Sequence, residues 1–562
     1  MKLPHRTAPL LLSLALMLGA CGSQTSTVDG QVVPGAEATY KDVSVSINPQ
    51  VLGSERKLEA QALEKHGQHA NTLMRTEQGN IEFFQKEVIV KVTDEKSFGK
   101  FLKKYDGVVL NDGTSPTPVL SGAEKGNKLR PVPQGLWRLV QITTPAVSMD
   151  AMAKRLSKDE LKGKIEFPDQ ETANLYYATQ TAQDEFGLAV TTNYVMRPTG
   201  ATGNDQDALL STGGRVTPNS PSWYWQFKKT GVIRAWEELG YTGFRPDVGI
   251  IDTGFKPNDY ELTGFNPIKN SSTWFKGNIA SQQYDYQDGD TDVTSFDGDP
   301  DYNNSLWHGM SVAQVALGAS NNQYGSSGVA PGAWPYLYRL GRGIGNALSF
   351  YDAARAVDRA VASGVDIINM SFGTLMPGGG NVPNPYGFYL SDALLRAEAA
   401  GVINIAAAGN DNRYQDSVRY PWFLYPVPAS WSSVIAVGAT DELDKKASYS
   451  NWGPMVQIFA PGVNLTASFT PGNASSCYTA SQLFCASTNL TSNQRFDGTS
   501  AASPFVAGAV ALMRDANFSL NRADVVKILQ STAFKSTGDP AVDSIGRINV
   551  YEAVKKAMTY VR

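Results

Sequence analysis

The sequence lacks a strong excess of charge of either sign. Its 562 residues include 49 Lys and Arg against 53 Asp and Glu, a formal net charge of −4. A nucleic-acid-binding protein would show a strong basic excess, so no nucleic-acid partner is expected. After the first 20 residues there is no run of 18 apolar residues, which predicts no transmembrane helix. The 42% hydrophobic content is typical of a globular protein with a large core, and the length predicts two or three domains.

The N-terminus has the features of an export signal. Lys2 and Arg6 make it basic, and the apolar stretch at 8–18 is too short to span a bilayer. The sequence LGAC at 18–21 resembles the bacterial lipobox, in which the cysteine is diacylated and becomes the new N-terminus. We therefore predict an extracytoplasmic protein whose only membrane attachment is a lipid on Cys21. The alternative is an ordinary signal peptide with a cysteine nearby by chance.

Cysteine is scarce, with three in the whole chain. If Cys21 is lipidated, Cys477 and Cys485 remain, eight positions apart in a Ser/Thr-rich stretch. An extracytoplasmic compartment allows these two to form a disulfide. The alternative is two reduced cysteines.

The chain divides into five parts by composition and pattern. We predict a signal peptide at 1–20, a tether at 21–84 with some helix near 55–75, a small α+β domain at 85–175, a linker with a processing site at 176–221, and a main domain at 222–562. The small domain shows two β-α-β patterns in series, with strands at 87–93, 107–110, 136–143 and 163–168 and helices at 98–105 and 149–156. This order predicts a ferredoxin-like fold.

The main domain alternates apolar strands with helices. Strands are predicted at 246–252, 334–340, 365–372, 402–408 and 434–439, and helices at 351–363 and 390–400. Continuous apolar strands between helices predict an α/β fold, a parallel sheet with helices on both faces. Ligands bind such sheets beyond the C-terminal ends of the strands, where Asp252 and Asn410 lie.

Histidine is also scarce, which leaves one candidate for acid–base chemistry in the main domain. His5 lies in the signal peptide, and His66 and His69 lie in the predicted tether. Only His308 remains, at the start of the helix-like run HGMSVAQVALGA. By itself, a lone histidine is more often structural than catalytic.

Two further residues have the right setting for nucleophilic chemistry. Ser500, in GTSAASPFVAGAVAL, is predicted at a helix N-terminus, where a base would be needed to activate it. Asp252 ends a strand, and a carboxylate there can orient an imidazole. Taken singly, they also have structural interpretations, as a helix N-cap and a turn cap.

Four segments together resemble the subtilisin-like serine proteases. DVGIIDTGF, HGMSVA, AAAGND and GTSAASPFVAG occur in that family's order, and SYSNWGP and QIFAPG add to the match over roughly 222–562. The order Asp, His, Ser is that of subtilisin. The resemblance implies a subtilisin-like fold. It also implies a secreted serine endopeptidase of proteins and peptides, a monomer that needs no cofactor for catalysis.

The resemblance also implies a role for each matched residue. Asp252 would orient His308, which would act as general base and then as general acid. Ser500 would attack the scissile carbonyl, and the amide of Asn410 would donate to the oxyanion. The strand that pairs with substrate backbone is matched by Ser371, Phe372 and Gly373.

The chain departs from the family pattern at two places. Met310 and Ser311 follow His308 and Gly309, where the family usually has H-G-T-H, and a Gly/Pro-rich insertion occupies 374–388. The first departure concerns packing, since the second histidine is not catalytic in the family. The insertion either reshapes the substrate-binding wall or forms a surface loop.

The small domain is similar in pattern and position to the family's inhibitory propeptide, and the alternative is an accessory domain. The resemblance implies that the propeptide acts as an intramolecular inhibitor. A self-catalysed cut somewhere within about 170–222 would then separate the protease from the lipid.

An acidic stretch raises the expectation of structural calcium. Its aspartates stand at 285, 288, 290, 292, 297, 299 and 301, and hard oxygen ligands in a loop suit Ca²⁺. The alternative is a solvated acidic loop. Glu261 and Asn322 fall near the family's calcium positions, although the loop there has diverged.

Three rival functions are open to test. Asp252-Thr253-Gly254 is also the aspartic-protease signature, but a second copy is absent from the sequence. An esterase with G-x-S-x-G would need glycine where Ala502 stands. A catalytically inactive subtilase-fold surface lipoprotein acting in binding would be expected to have lost a catalytic residue, and all four candidates are present.

Overall fold

The computed structural model describes residues 27–28, 31–32, 37–52, 70–77, 79–112, 136–158, 163–198, 200–201, 225–255, 282–293, 308–318, 327–342, 347–377, 389–416, 424–469 and 492–561. The strands are β1 Thr27–Val28, β2 Gln31–Val32, β3 Glu37–Tyr40, β4 Val43–Ile47, β5 Asn71–Thr76, β6 Gly79–Lys91, β7 Val108–Asn111, β8 Trp137–Gln141, β9 Gly163–Phe167, β10 Ala189–Pro198, β11 Gly200–Ala201, β12 Asp247–Asp252, β13 Gln283–Asp285, β14 Trp334–Arg339, β15 Gly341–Arg342, β16 Ala347–Ser349, β17 Ile367–Met370, β18 Phe372–Pro377, β19 Ile403–Ala407, β20 Leu424–Val427, β21 Val434–Thr440, β22 Ile458–Pro461, β23 Leu465–Phe469 and β24 Ser492–Gly498. The α-helices are α1 Glu95–Lys104, α2 Met149–Lys158, α3 Gln170–Phe186, α4 Trp225–Thr230, α5 Val232–Leu239, α6 His308–Leu317, α7 Phe350–Ala362, α8 Tyr389–Ala399, α9 Thr499–Ala516, α10 Arg522–Thr532, α11 Pro540–Asp543 and α12 Val550–Thr559.

The main domain is built on a seven-stranded parallel sheet in the order β13-β14-β12-β17-β19-β21-β22. Successive strand residues point to opposite faces: Ile250 and Ile367 join the apolar layer under α6 and α9, whereas Ile251 and Ile368 join the layer under α7 and α8. Both faces are therefore buried, which explains the continuous apolar strands. The predicted α/β fold is confirmed.

The small domain has a β-α-β-β-α-β core, but its last helix and strand differ from those predicted. The strand beside β6 is β10, which follows α3, and the resulting order is β7-β8-β6-β10. Helices α1 and α3 pack together, with the rings of Phe101 and Phe186 edge-to-face at 5.6 Å. The predicted boundary at 175/176 is wrong, because it falls inside α3 and the core continues to Pro198.

The prediction of a tether at 21–84 is wrong for those residues of the range that the structure describes. Strands β3, β4 and β5 extend the small domain's sheet, in the order β6-β5-β9-β4-β3. The strand predicted at 163–168 exists as β9, but it pairs in parallel with β4 instead of lying beside β6. Val43, Val45 and Ile47 alternate along β4 and are buried, so this segment has a core-facing side of its own.

The small domain lies against α7 and α8 of the main domain. Trp137 stacks on Tyr389 with ring centroids 5.6 Å apart, and Lys91 forms a 2.9 Å ion pair with Asp392. The fully buried Asn193 of β10 accepts a hydrogen bond from the backbone N–H of Tyr351 at 3.3 Å, in the first turn of α7. The two domains therefore share one apolar layer.

Several predictions fall outside the described residues. These are the signal peptide and Cys21, the Cys477–Cys485 pair, and most of the insertion at 374–388. Within the described part of the chain, no helix is both long enough and apolar enough to cross a bilayer.

Candidate active site

Asp252 and His308 meet at the C-terminal end of the parallel sheet. Asp252 is the last residue of β12 and His308 the first of α6, as the sequence pattern predicts. The Nδ1 atom of His308 lies 2.7 Å from Oδ1 of Asp252, and both side chains are buried. Oδ1 also accepts from the backbone N–H of Thr253 at 2.7 Å, which fixes the carboxylate. This bond to Nδ1 leaves Nε2 as the nitrogen available for acid–base chemistry.

Tight packing of α6 on the loop after β12 holds this pair. Gly309 follows the histidine directly, and a Cβ there would collide with the carbonyl of Gly254. Met310 and Ser311, which replace the family's usual residues, are both buried. The departure from the family pattern is thus accommodated inside the core.

Ser500 is the second residue of α9, at the helix N-terminus that the sequence predicts. Its Oγ donates a 2.9 Å hydrogen bond to the backbone carbonyl of Ser371. Nε2 of His308 is buried and has no hydrogen-bond partner among the described residues. Helices α6 and α9, at whose N-termini His308 and Ser500 lie, pack against each other.

Asn410 lies beside the start of α9 with a defined orientation. Its Oδ1 accepts from both the backbone N–H (3.0 Å) and the hydroxyl (2.8 Å) of Thr499. Because Oδ1 faces Thr499, the Nδ2 group of Asn410 points away from Thr499. Thr499 was not predicted as a functional residue, although its position directly before Ser500 was a usable signal.

The strand predicted to bind substrate is occupied by the protein's own chain. In β10, Arg197 pairs with Gly373 and Pro198 with Phe372, both antiparallel. On its other side β10 pairs with β16, where Met196 lies opposite Leu348. Beyond Pro198, Gly200 pairs with Gly498, two residues before Ser500. Residues 197–198 thus pair with the strand predicted to bind substrate, and residues 200–201 pair with the strand that leads into α9.

Ser371 has a second role that sequence reasoning missed. Its own hydroxyl is buried and bonds the Nδ2 of Asn369 and the hydroxyl of Ser503, each at 2.9 Å, and the carbonyl of Ser500 at 3.1 Å. The side chain of Ser371 therefore ties the end of β17 to the first turn of α9.

The acidic stretch is partly described, at 282–293. Asp285 is buried and paired with Arg339, and burial raises the pKa of Asp285 to about 6 against the opposing effect of that arginine. Over the described residues, no group of three or more His, Cys, Asp or Glu side chains is arranged to hold a metal. Aspartates 297, 299 and 301, with Glu261 and Asn322, lie outside those residues, so structural calcium stays a prediction.

Comparisons with known proteins agree with this arrangement. The chain is 32% identical over 309 residues to the thermophilic serine proteinase of Bacillus sp. (strain AK1), covering 55% of this chain and 61% of that protein. It is 30% identical over 318 residues to subtilisin DY of Bacillus licheniformis, covering 56% of this chain and 93% of that protein.

The fold is shared with a solved structure, fervidolysin from Fervidobacterium pennivorans, a keratinolytic enzyme related to subtilisin. The TM-score is 0.54 at 19% identity, covering 86% of this chain and 62% of that chain. The profile of the subtilase family (Peptidase_S8) matches residues 245–547, which include Asp252, His308, Asn410 and Ser500. The chain belongs to the subtilase family.

Proposed function

We propose that this protein is a secreted serine endopeptidase that hydrolyses peptide bonds through an acyl-enzyme on Ser500. His308 takes the hydroxyl proton at Nε2 and later gives it to the leaving amine, while Asp252 holds the ring and stabilises the imidazolium. Asn410 donates to the oxyanion of the tetrahedral intermediate. The observation that carries this proposal is the extended segment of the chain itself, paired on both sides of Ser500 as a peptide substrate would be.

Labelling tests this function against that of an inactive binding protein. A serine-reactive phosphonate should modify the purified protein at Ser500, because only an activated serine reacts quickly. The measurement is the mass of the modified peptide. Absence of labelling in folded protein that has been freed of its small domain would favour the inactive lipoprotein, and an activity optimum near pH 3 would favour the aspartic protease.

We further propose that the small domain is an inhibitory propeptide. It blocks the substrate strand through β10 and is held by contacts far from the site, such as Trp137 on Tyr389 and Lys91 with Asp392. A segment in that position both inhibits and is the first substrate. Export with a lipid on Cys21 is part of this proposal.

The pairing register supports one position for this cut. Pro198 lies opposite Phe372, and Ser371 directly precedes Phe372. Ser371 is the residue whose carbonyl accepts from Ser500, and Gly200 is already paired with Gly498. Thr199 itself lies outside the described residues. We assign the cut to the Thr199–Gly200 bond.

The mature enzyme should therefore begin at Gly200. We expect a soluble fragment of about 40 kDa, at roughly 110 Da per residue, with any lipid left on the other piece. N-terminal sequencing and mass spectrometry of the fragment measure this. Gly200→Pro should block the cut, whereas Gly203→Pro should mature normally. A mature N-terminus elsewhere, or a lipidated Cys21 on the active enzyme, would contradict the assignment.

A further inference from the structure

The segment around Asn410 is held by one buried asparagine of the following loop. Oδ1 of Asn451 accepts from the backbone N–H groups of Asp411 at 3.2 Å and Arg413 at 2.8 Å, and its Nδ2 donates to the carbonyl of Ala408 at 2.8 Å. The side chain of Asn451 is completely buried. A single amide thus spans the residues on both sides of the proposed oxyanion donor.

The residue directly before Asn410 is enclosed as well. Gly409 has a φ of +101°, and a Cβ there would collide with Nδ2 of Asn451. Its carbonyl accepts from the backbone N–H of Asn451 at 3.0 Å, and its N–H donates to the hydroxyl of Thr499 at 3.1 Å. Gly409 is therefore fixed between Asn451 on one side and the start of the serine-bearing helix on the other.

Backbone hydrogen bonds also join residues 412–413 to the loop that contains Asn451. The N–H of Asn412 donates to the carbonyl of Tyr449 at 2.7 Å, and the N–H of Trp452 donates to the carbonyl of Arg413 at 2.9 Å. The Asn451 side chain lies at the centre of this paired region, with no exposure to solvent. Buried amides of this kind are costly unless satisfied, and each one fixes the local geometry.

We propose that Asn451 is a positioning residue for the oxyanion donor, holding the 408–413 segment so that Nδ2 of Asn410 meets the charge that develops on the scissile carbonyl. The inference rests on the proposed function. An oxyanion donor acts only if it lies within hydrogen-bond distance of the transition-state oxygen, so a small displacement reduces its effect. Asn451 does not touch the substrate in this role and acts entirely through Asn410.

The test compares two buried asparagines at the two ends of β19. Asn451 bonds the segment that follows this strand, and Asn404 lies near its start. Asn451→Ala should lower kcat on a peptide substrate by about tenfold or more while KM stays within about twofold, because the lost interaction is made mainly in the transition state. Asn404→Ala is the matched control. Asn404 is equally buried, and its amide bonds the carbonyls of Leu394 and Ser433, near the opposite end of β19. It should keep the wild-type kcat.

A double variant separates positioning from general destabilisation. In an Asn410→Ala background, Asn451→Ala should lower kcat little further, since the donor it positions is already gone. Full additivity, or wild-type kcat in Asn451→Ala, would overturn the proposal.

If Asn451→Ala does not fold, Asn451→Asp keeps the acceptor for Asp411 and Arg413 and loses the donor to Ala408. It should show an intermediate kcat, and an unchanged kcat would refute the proposal. If the wild-type protein itself showed no turnover of the peptide substrate, the proposed function would be rejected instead.

Discussion

Ser500→Ala should abolish both turnover and maturation. The hydroxyl is the proposed nucleophile, and its Oγ donates to the Ser371 carbonyl at the predicted substrate strand. In subtilisin, loss of this serine lowers kcat by about 10⁶-fold, and we expect a loss of that order. The precursor should accumulate uncut, because the bond after Thr199 is presented to a site that can no longer attack it.

The measurement is the size and location of the protein made in a host without other proteases. Ser500→Ala should remain full-length apart from the loss of any signal peptide and, if Cys21 is lipidated, membrane-associated. Wild type should release the fragment that begins at Gly200. Ser544→Ala is the control, since its hydroxyl bonds only the carbonyl of Ala541 in a helix end outside the site. Normal cutting of Ser500→Ala would show that processing is not self-catalysed.

The elements that carry the family's motifs were predictable because their signals are local. The run PDVGIID reads as a buried strand ending in an aspartate, and HGMSVAQVALGA reads as a helix starting at the histidine. The observed strand begins one residue later than predicted, and the observed helix ends two residues before the predicted run does. Asp252 and His308 are 56 positions apart, and only the resemblance, not the periodicity, predicted that they would meet.

The course of residues 170–198 was not predictable in the same way. Helix α3 buries Thr172, Asn174, Thr179 and Thr181, which looks like linker composition. These polar side chains have hydrogen-bond partners, such as the carbonyl of Tyr176 for Thr179 and the N–H of Val147 for Asn174, so burial costs little.

In β10, the fully buried Asn193 bonds Glu87 at 2.6 Å, 106 positions away, and no local pattern indicates such a partner. The same limit applies to Asn451. The segment SYSNWGP matches the family, but the proposed effect of Asn451 on Asn410 depends on a contact between two separate loops.

Asn410→Ala should lower kcat by about 10²–10³-fold with KM nearly unchanged. The reason lies in how the amide is held. Thr499 donates twice to Oδ1, so the side chain cannot flip without losing both bonds, and the direction of the Nδ2 group is fixed before substrate binds. A donor fixed in advance contributes to the transition state more than to the ground state, so its loss appears in kcat.

Asn410→Asp tests the N–H donor separately from the two hydrogen bonds from Thr499 that hold the side chain. The carboxylate keeps an oxygen for both Thr499 donors and has nearly the same shape, but it offers no N–H and adds a negative charge where the oxyanion forms. Its kcat should fall at least as far as that of Asn410→Ala, while its thermal unfolding temperature stays near that of wild type. If instead Asn410→Asp retained turnover, the amide would be needed only to hold Thr499, and the oxyanion would have to be stabilised by backbone N–H groups at the start of α9.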